Sequence, residues 1–195
     1  MNIIGIDYAM GCPAICGFKG SPEKQFLYED CEFHYLIDKK NPPYTTNIQG
    51  DIKPEYNSQE ERFDWIATWT VSQILCYDPD LVVLEDYSFG SKGRVFHIAE
   101  NTGLLKHKLF KSGIPFIVVA PTTVKKFATG KGNANKEKMY ECFTEQTGVD
   151  LRKQLDTTVE HPISDIIDAF YIAKYGYTEL IKQSKLPLRD EVDQS

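Results

Sequence analysis

Three stretches of this chain are apolar at nearly every position and then stop abruptly. Ile3-Ile4-Gly5-Ile6 runs into Asp7, Leu81-Val82-Val83-Leu84 runs into Glu85 and Asp86, and Ile114-Pro115-Phe116-Ile117-Val118-Val119 runs into Ala120-Pro121. Short continuous apolar runs ending in acid, as in the first two, are the pattern of strands buried on both faces, and the third run reads as a further strand. Ala14 to Phe18, and Gln25 to Ile37 after the Gly20-Ser21-Pro22 break, give two further strands. The first three strands follow one another with short connections, which predicts an antiparallel meander. Helical spacing marks Ser58 to Tyr77, with Ser58 as N-cap and Glu61 at the capping-box position, and Arg94 to Ser112, closed by Gly113. Pro121 opens a short helix at its N1 position, Asn135 to Thr147 forms another, and the last helix starts at Ser164-Asp165. Prolines 42, 43 and 54 and Gly50 make 38–57 a long loop excursion. The later strands are each reached through a helix and should run parallel. The expectation is therefore an α/β domain over 1–183 with a five-stranded mixed sheet, an antiparallel meander followed by parallel strands, flanked by helices. Residues 184–195 read as a polar, disordered tail.

Composition narrows the class. Of 195 residues 42% are hydrophobic and 12% aromatic, which is folded-protein composition. No apolar run approaches the roughly 20 residues that cross a bilayer. Met1-Asn2-Ile3 leads straight into a strand without a basic leader, so a cytoplasmic protein with no membrane partner is expected. Five scattered cysteines without a C-x-x-C pair read as reduced thiols, and zinc is a weak reading. The net charge of −6 argues superficially against nucleic acid, but between Asp86 and Tyr140 ten Lys/Arg face only three acids. That asymmetry suggests a basic face for a polyanion, with Lys125 and Lys131 among its contacts.

The two strand-end acids change the picture most. Each must reach solvent or share a cation. Ser164-Asp165-Ile166-Ile167-Asp168 adds two carboxylates three residues apart, which a helix places on one face. Taken singly, each acid reads as a strand-end or cap acid, with Ser164 capping the helix and Asp165 at its first position. Taken together, Asp7, Glu85, Asp165 and Asp168 would form a cluster in which two carboxylates about 5 Å apart repel by roughly 3 kcal/mol. Hard oxygen donors with no Cys/His set point to Mg²⁺, with Mn²⁺ able to substitute, and to two-metal phosphodiester hydrolysis. The histidines 34, 97, 107 and 161 show no motif spacing, and none is given a role.

Four ordered motifs carry a resemblance. Ile4-Gly5-Ile6-Asp7, Val83-Leu84-Glu85-Asp86-Tyr87, the run from Ala120-Pro121-Thr122-Thr123-Val124-Lys125 through Thr129-Gly130-Lys131-Gly132-Asn133-Ala134-Asn135-Lys136, and Ser164-Asp165-Ile166-Ile167-Asp168-Ala169 are similar to the motifs of RuvC-type Holliday junction resolvases, within the RNase H-like superfamily. The resemblance implies an RNase H-like fold and a homodimer that cuts four-way DNA junctions with Mg²⁺. It implies that Asp7, Glu85, Asp165 and Asp168 are the metal-binding acids and that Lys136 lies near the scissile phosphate. It also implies that an aromatic after the second acid, Tyr87 or Phe89, stacks on a base, and Lys92 and Arg94 in the same loop suit phosphate contact. Asp7-Tyr8-Ala9 replaces the usual Asp-Pro-Gly, 38–57 is long for the family, and Asp86 beside Glu85 could move the second ligand by one residue. These departures are those of a divergent relative, a phage-borne one included, and they bear on the substrate more than on the chemistry. The alternatives are the same hydrolysis on flaps, other branched DNA or RNA–DNA hybrids, and a non-catalytic junction-binding protein, against which the four acids speak. An actin-like ATPase would need a glycine-rich phosphate loop and a second such domain.

Overall fold

The structure, a computed structural model, describes residues 1–21, 23–38, 40–86 and 95–184. The meander comes first: β1 (Asn2–Asp7), β2 (Ala14–Lys19) and β3 (Cys31–Ile37), paired antiparallel in that order. Next come β4 (Ile48–Ile52), α1 (Gln59–Leu75), β5 (Leu81–Glu85), α2 (Val95–Lys111) and β6 (Phe116–Val119). The chain then turns helical, with α3 (Pro121–Thr129), α4 (Lys136–Thr147), the single turn α5 (Leu151–Gln154) and the long α6 (Glu160–Ser184). The sheet order is β4-β3-β2-β1-β5-β6, with β5 parallel to β1 and β6 parallel to β5.

The sheet thus has six strands among the described residues, not the five expected from the sequence. The extra strand lies inside the 38–57 excursion, where β4 pairs in parallel with β3 without an intervening helix. Proline and glycine disguised it. Gly50, read as a loop residue, is required by packing, since a Cβ there would stand 2.5 Å from Tyr35 Cζ and 2.6 Å from Pro42 Cβ. Trp69 on α1 donates its indole N–H to Asp51 at 2.8 Å and ties this edge to the helical layer. The third strand also starts later than expected, at Cys31, because Tyr28–Asp30 forms a 3₁₀ turn. Phe26 and Tyr28 before it cover the core, with Phe26 on Phe18 and Tyr28 on Phe33.

Strand alternation gives the sheet two apolar faces. Ile4 and Ile6 of β1, with Val82 and Leu84 of β5, pack under α1 and α2. Ile3, Leu81 and Val83 pack under α3, α4 and α6. Gly5 lets α6 press directly onto β1, because a Cβ there would lie 2.3 Å from the Ala173 nitrogen and 2.4 Å from the Ala169 carbonyl oxygen. That close crossing sets the height at which the start of α6 stands over the strand ends.

The helix caps mostly follow the sequence. Ser58 Oγ accepts from the Glu61 amide, Pro121 sits at N1 of α3, and Asn135 caps α4. Ser164 does not cap α6. The backbone is non-helical at His161, so the continuous helix runs from Pro162 onward. Ser164 is its third residue, with a buried hydroxyl that has no hydrogen-bond partner. Asp165 is correspondingly the fourth helical residue and not the first. The polar tail expected over 184–195 lies, beyond Ser184, outside the described residues. No helix among the described residues is long and apolar enough to cross a membrane.

Candidate active site

Asp7 and Glu85 end neighbouring parallel strands. The register pairs Gly5 with Val83 and Ile6 with Leu84, so the two acids follow in step. Each lies on the α6 face by alternation, Asp7 with Ile3 and Glu85 with Leu81 and Val83. Alternation turns Glu85 toward α6, where the Asp168 charge raises it, while Asp86 lines the same cavity beside it. Asp86 leaves the strand with its amide donating to the Val119 carbonyl at 2.8 Å.

α6 lays Asp165 and Asp168 over these strand ends. Asp7, Glu85 and Asp168 line one cavity of about 260 Å³ with Tyr8, Thr102, Pro121 and Lys125. Asp165 stands deeper, 3% exposed. The electrostatics are those of a crowded anionic cluster. Burial, reinforced by Asp168, Glu85 and Asp165, holds the Asp7 carboxyl well above the usual range. Burial and then the Asp168 charge push Glu85 up to about 8. Burial and then Asp165 push Asp168 up to about 7. Asp165 is also raised by burial, although His161 and Cys12 hydrogen-bond to it and lower it in part. Neighbouring carboxylates hold their protons in this way when positive charge is insufficient.

The sequence-derived candidates divide clearly. Asp7, Glu85 and Asp168 share the cavity, and Asp165 reaches Asp7 and Asp168 electrostatically from its deeper position. Lys125 on α3 lines the cavity and counters the charge of Glu85 and Asp168. Lys136, the first residue of α4, reaches Asp165 and Asp168 electrostatically while its ammonium bonds the exposed Glu160. Lys131 lies in the exposed turn after α3 and does not line the cavity. Tyr87, Phe89, Lys92 and Arg94 lie outside the described residues. Sequence reasoning missed His161, whose Nδ1 lies 2.6 Å from Asp165 Oδ2, and Cys12, whose thiol hydrogen-bonds Asp165. The i,i+4 spacing of His161 and Asp165 was the available signal. For Cys12 there was none.

A mixed sheet with acids converging from β1, β5 and one crossing helix defines the RNase H-like class. Residues 43–173 match the family model described as crossover junction endodeoxyribonuclease RuvC, so the chain belongs to the RuvC family of endodeoxyribonucleases. Among relatives, the RuvC of Brachyspira hyodysenteriae is 29% identical over 118 residues, covering 60% of this chain and 74% of that protein. A Synechococcus RuvC is 25% identical over 120 residues, 62% of this chain and 70% of the relative. Among solved structures, Thermus thermophilus RuvC in complex with Holliday junction substrate superposes with a TM-score of 0.60 at 18% identity, covering 94% of each chain. At that identity the likeness speaks to the fold.

Proposed function

We propose that this chain is a divalent-cation-dependent endonuclease that cuts DNA at four-way junctions. The observation that carries the proposal is the convergence of Asp7, Glu85, Asp165 and Asp168, from three separate elements, on one place, with three of them lining a single cavity. Burial leaves each acid raised above its ordinary range, and for Asp7, Glu85 and Asp168 the neighbouring carboxylates add to it, as expected of a site built for added positive charge. The donor set fits Mg²⁺ or Mn²⁺, since all four ligands are hard carboxylate oxygens. Asp7, Glu85, Asp165 and Asp168 would hold such ions. Such ions would supply Lewis-acid charge to phosphodiester hydrolysis, and four carboxylates offer enough donors for two of them.

The chain's own residues do the remaining work. The acids fix the position of positive charge at the strand ends, held there by the register of β1 against β5 and by the Gly5 crossing. Lys125, on the cavity wall, offers a cation to a phosphate entering it. Lys136 lies outside the cavity lining but within electrostatic reach of Asp165 and Asp168, and exchanging Glu160 for a scissile phosphate would bring its ammonium to the reacting strand. Lys131, in the exposed turn after α3, supplies a backbone contact, and the family resemblance assigns phosphate contact to Lys92 and Arg94 and base stacking to Tyr87 or Phe89. Family membership supports the junction as substrate, and the Thermus thermophilus neighbour solved in complex with Holliday junction substrate supports branched-DNA binding. Action as a homodimer would put two such sites on one junction.

A substrate panel tests the proposal. Four-way junctions, flaps, linear duplex and RNA–DNA hybrids are incubated with Mg²⁺ or Mn²⁺. Paired, symmetric nicks confined to junctions, leaving 5′-phosphate and 3′-hydroxyl ends, are expected. Preferential cutting of hybrids or flaps would overturn the junction assignment.

A further inference from the structure

Beside the carboxylate cluster, three chemically different donors meet. Cys12, in the connection between β1 and β2, His161 at the start of α6 and Asp165 each present one ligand atom, and these atoms all lie within 4.8 Å of one another. Cys12 is 2% and Asp165 3% exposed, whereas the His161 side chain is about half exposed and opens the group to solvent. His161 Nδ1 hydrogen-bonds the Asp165 carboxylate at 2.6 Å, and the Cys12 sulfur faces the same carboxylate. A bound cation would replace that shared proton, and the proton of the facing thiol, with coordination. Sulfur, imidazole and carboxylate together are the donor mixture that favours a borderline-soft ion over Mg²⁺.

We infer that Cys12, His161 and Asp165 form a binding site for a transition-metal cation of the Zn²⁺ class. Bond lengths of about 2.0–2.3 Å to tetrahedral Zn²⁺ imply donor separations of roughly 3.3–3.8 Å. The present spacing needs small side-chain adjustments to reach them, chiefly a widening of the 2.6 Å contact between His161 and Asp165. Three protein ligands leave a fourth position for water on the exposed His161 side. On binding, the Cys12 thiol releases its proton to solvent and coordinates as thiolate. Burial and the Asp165 carboxylate hold the Cys12 proton in the free site, and the ammonium of Lys53, bonded to the Gly11 carbonyl, offsets this only in part.

The site shares Asp165 with the carboxylate cluster. On the nuclease reading, on which this consequence alone rests, a Zn²⁺-class ion withdraws that carboxylate from the hydrolytic cations and inhibits cleavage.

Co²⁺ serves as the spectroscopic probe of the full chain. Wild type should show a near-ultraviolet thiolate-to-cobalt charge-transfer band that saturates at one ion per chain and is displaced by Zn²⁺. Cys12→Ser should abolish the band. His161→Gln, at a half-exposed side chain that folding tolerates, should weaken Co²⁺ binding by at least the roughly 10–100-fold that even outer-shell changes cost. Asp7→Asn should keep the band. No band in wild type, or one unchanged in Cys12→Ser, would overturn the site and leave a hydrogen-bonded trio that only orients Asp165. In the second arm, Zn²⁺ should inhibit Mg²⁺-supported junction cleavage by wild type more strongly than by His161→Gln, and equal inhibition would refute the sharing of Asp165. A Co²⁺ band with no junction cleavage under any condition would leave the site standing and defeat the nuclease reading.

Discussion

Neutralising Glu85 should stabilise the metal-free protein, and by an amount that depends on pH. Burial and the Asp168 charge carry Glu85 from its ordinary 4.5 up to about 8 in the folded state. The folded protein therefore holds this proton more tightly than the unfolded chain. Its contribution to stability is fully present below about pH 4.5 and is lost as pH rises through about 8. A displacement of that size corresponds to at most about 5 kcal/mol. Glu85 and Asp168 relieve each other when either takes a proton, and the cavity mouth admits solvent, so a net cost of about 1–3 kcal/mol at pH 9 is the reasonable expectation. Glu85→Gln removes it. For a chain of this size each kcal/mol moves Tm by about 2–4 °C. Thermal melts in EDTA, followed by circular dichroism, should therefore show Glu85→Gln more stable than wild type by roughly 2–12 °C at pH 9 and by little at pH 5. Added Mg²⁺ should raise the wild-type Tm by mass action, about 2.7 kcal/mol at a hundred times Kd, and raise that of Glu85→Gln less. An equal Tm difference at both pH values, or a wild type indifferent to Mg²⁺ at pH 8, would refute the reasoning that these acids form one under-compensated cluster.

Other consequences are as concrete. Asp7→Asn and Asp168→Asn should each lower single-turnover junction cleavage by about 10²-fold or more while leaving junction affinity in a gel-shift assay within a few-fold of wild type. Lys136→Ala should slow cleavage with little change in Tm, because its visible partner, Glu160, is solvent-exposed and an exposed ion pair contributes only about 0–1 kcal/mol. Gly5→Ala should cost about 3 kcal/mol or more in chemical denaturation and depress cleavage as well, since the added methyl would collide with the backbone of α6. Junction affinity should fall linearly in log–log form with salt if lysines from the basic segment neutralise phosphates.

The parts of the fold that were legible in the sequence were those where local pattern and tertiary role agree. Ile3 to Asp7 and Leu81 to Glu85 are apolar on both faces because both faces are covered, and their terminal acids announced themselves against that background. The Asp165 and Asp168 pair was legible through helical spacing. β4 was not, because its edge position and the prolines around it remove the apolar periodicity that marks an internal strand. The role given to Ser164 failed because Pro162 already starts the helix, which leaves Ser164 inside it and His161 at the turn before. His161 and Cys12 were dismissed for lack of motif spacing. Their meeting depends on the β1–β2 connection folding under α6, a juxtaposition that no local window contains.

The central claim is that four carboxylates from β1, β5 and α6 act as one cation-dependent hydrolytic site. Cleavage of a labelled four-way junction by the EDTA-treated protein, started by adding Mg²⁺, tests it most directly. Wild type should cut only after the addition, with paired nicks at symmetric positions, and Asp168→Asn should not cut. Cutting in EDTA, or near-normal cutting by Asp168→Asn, would contradict it.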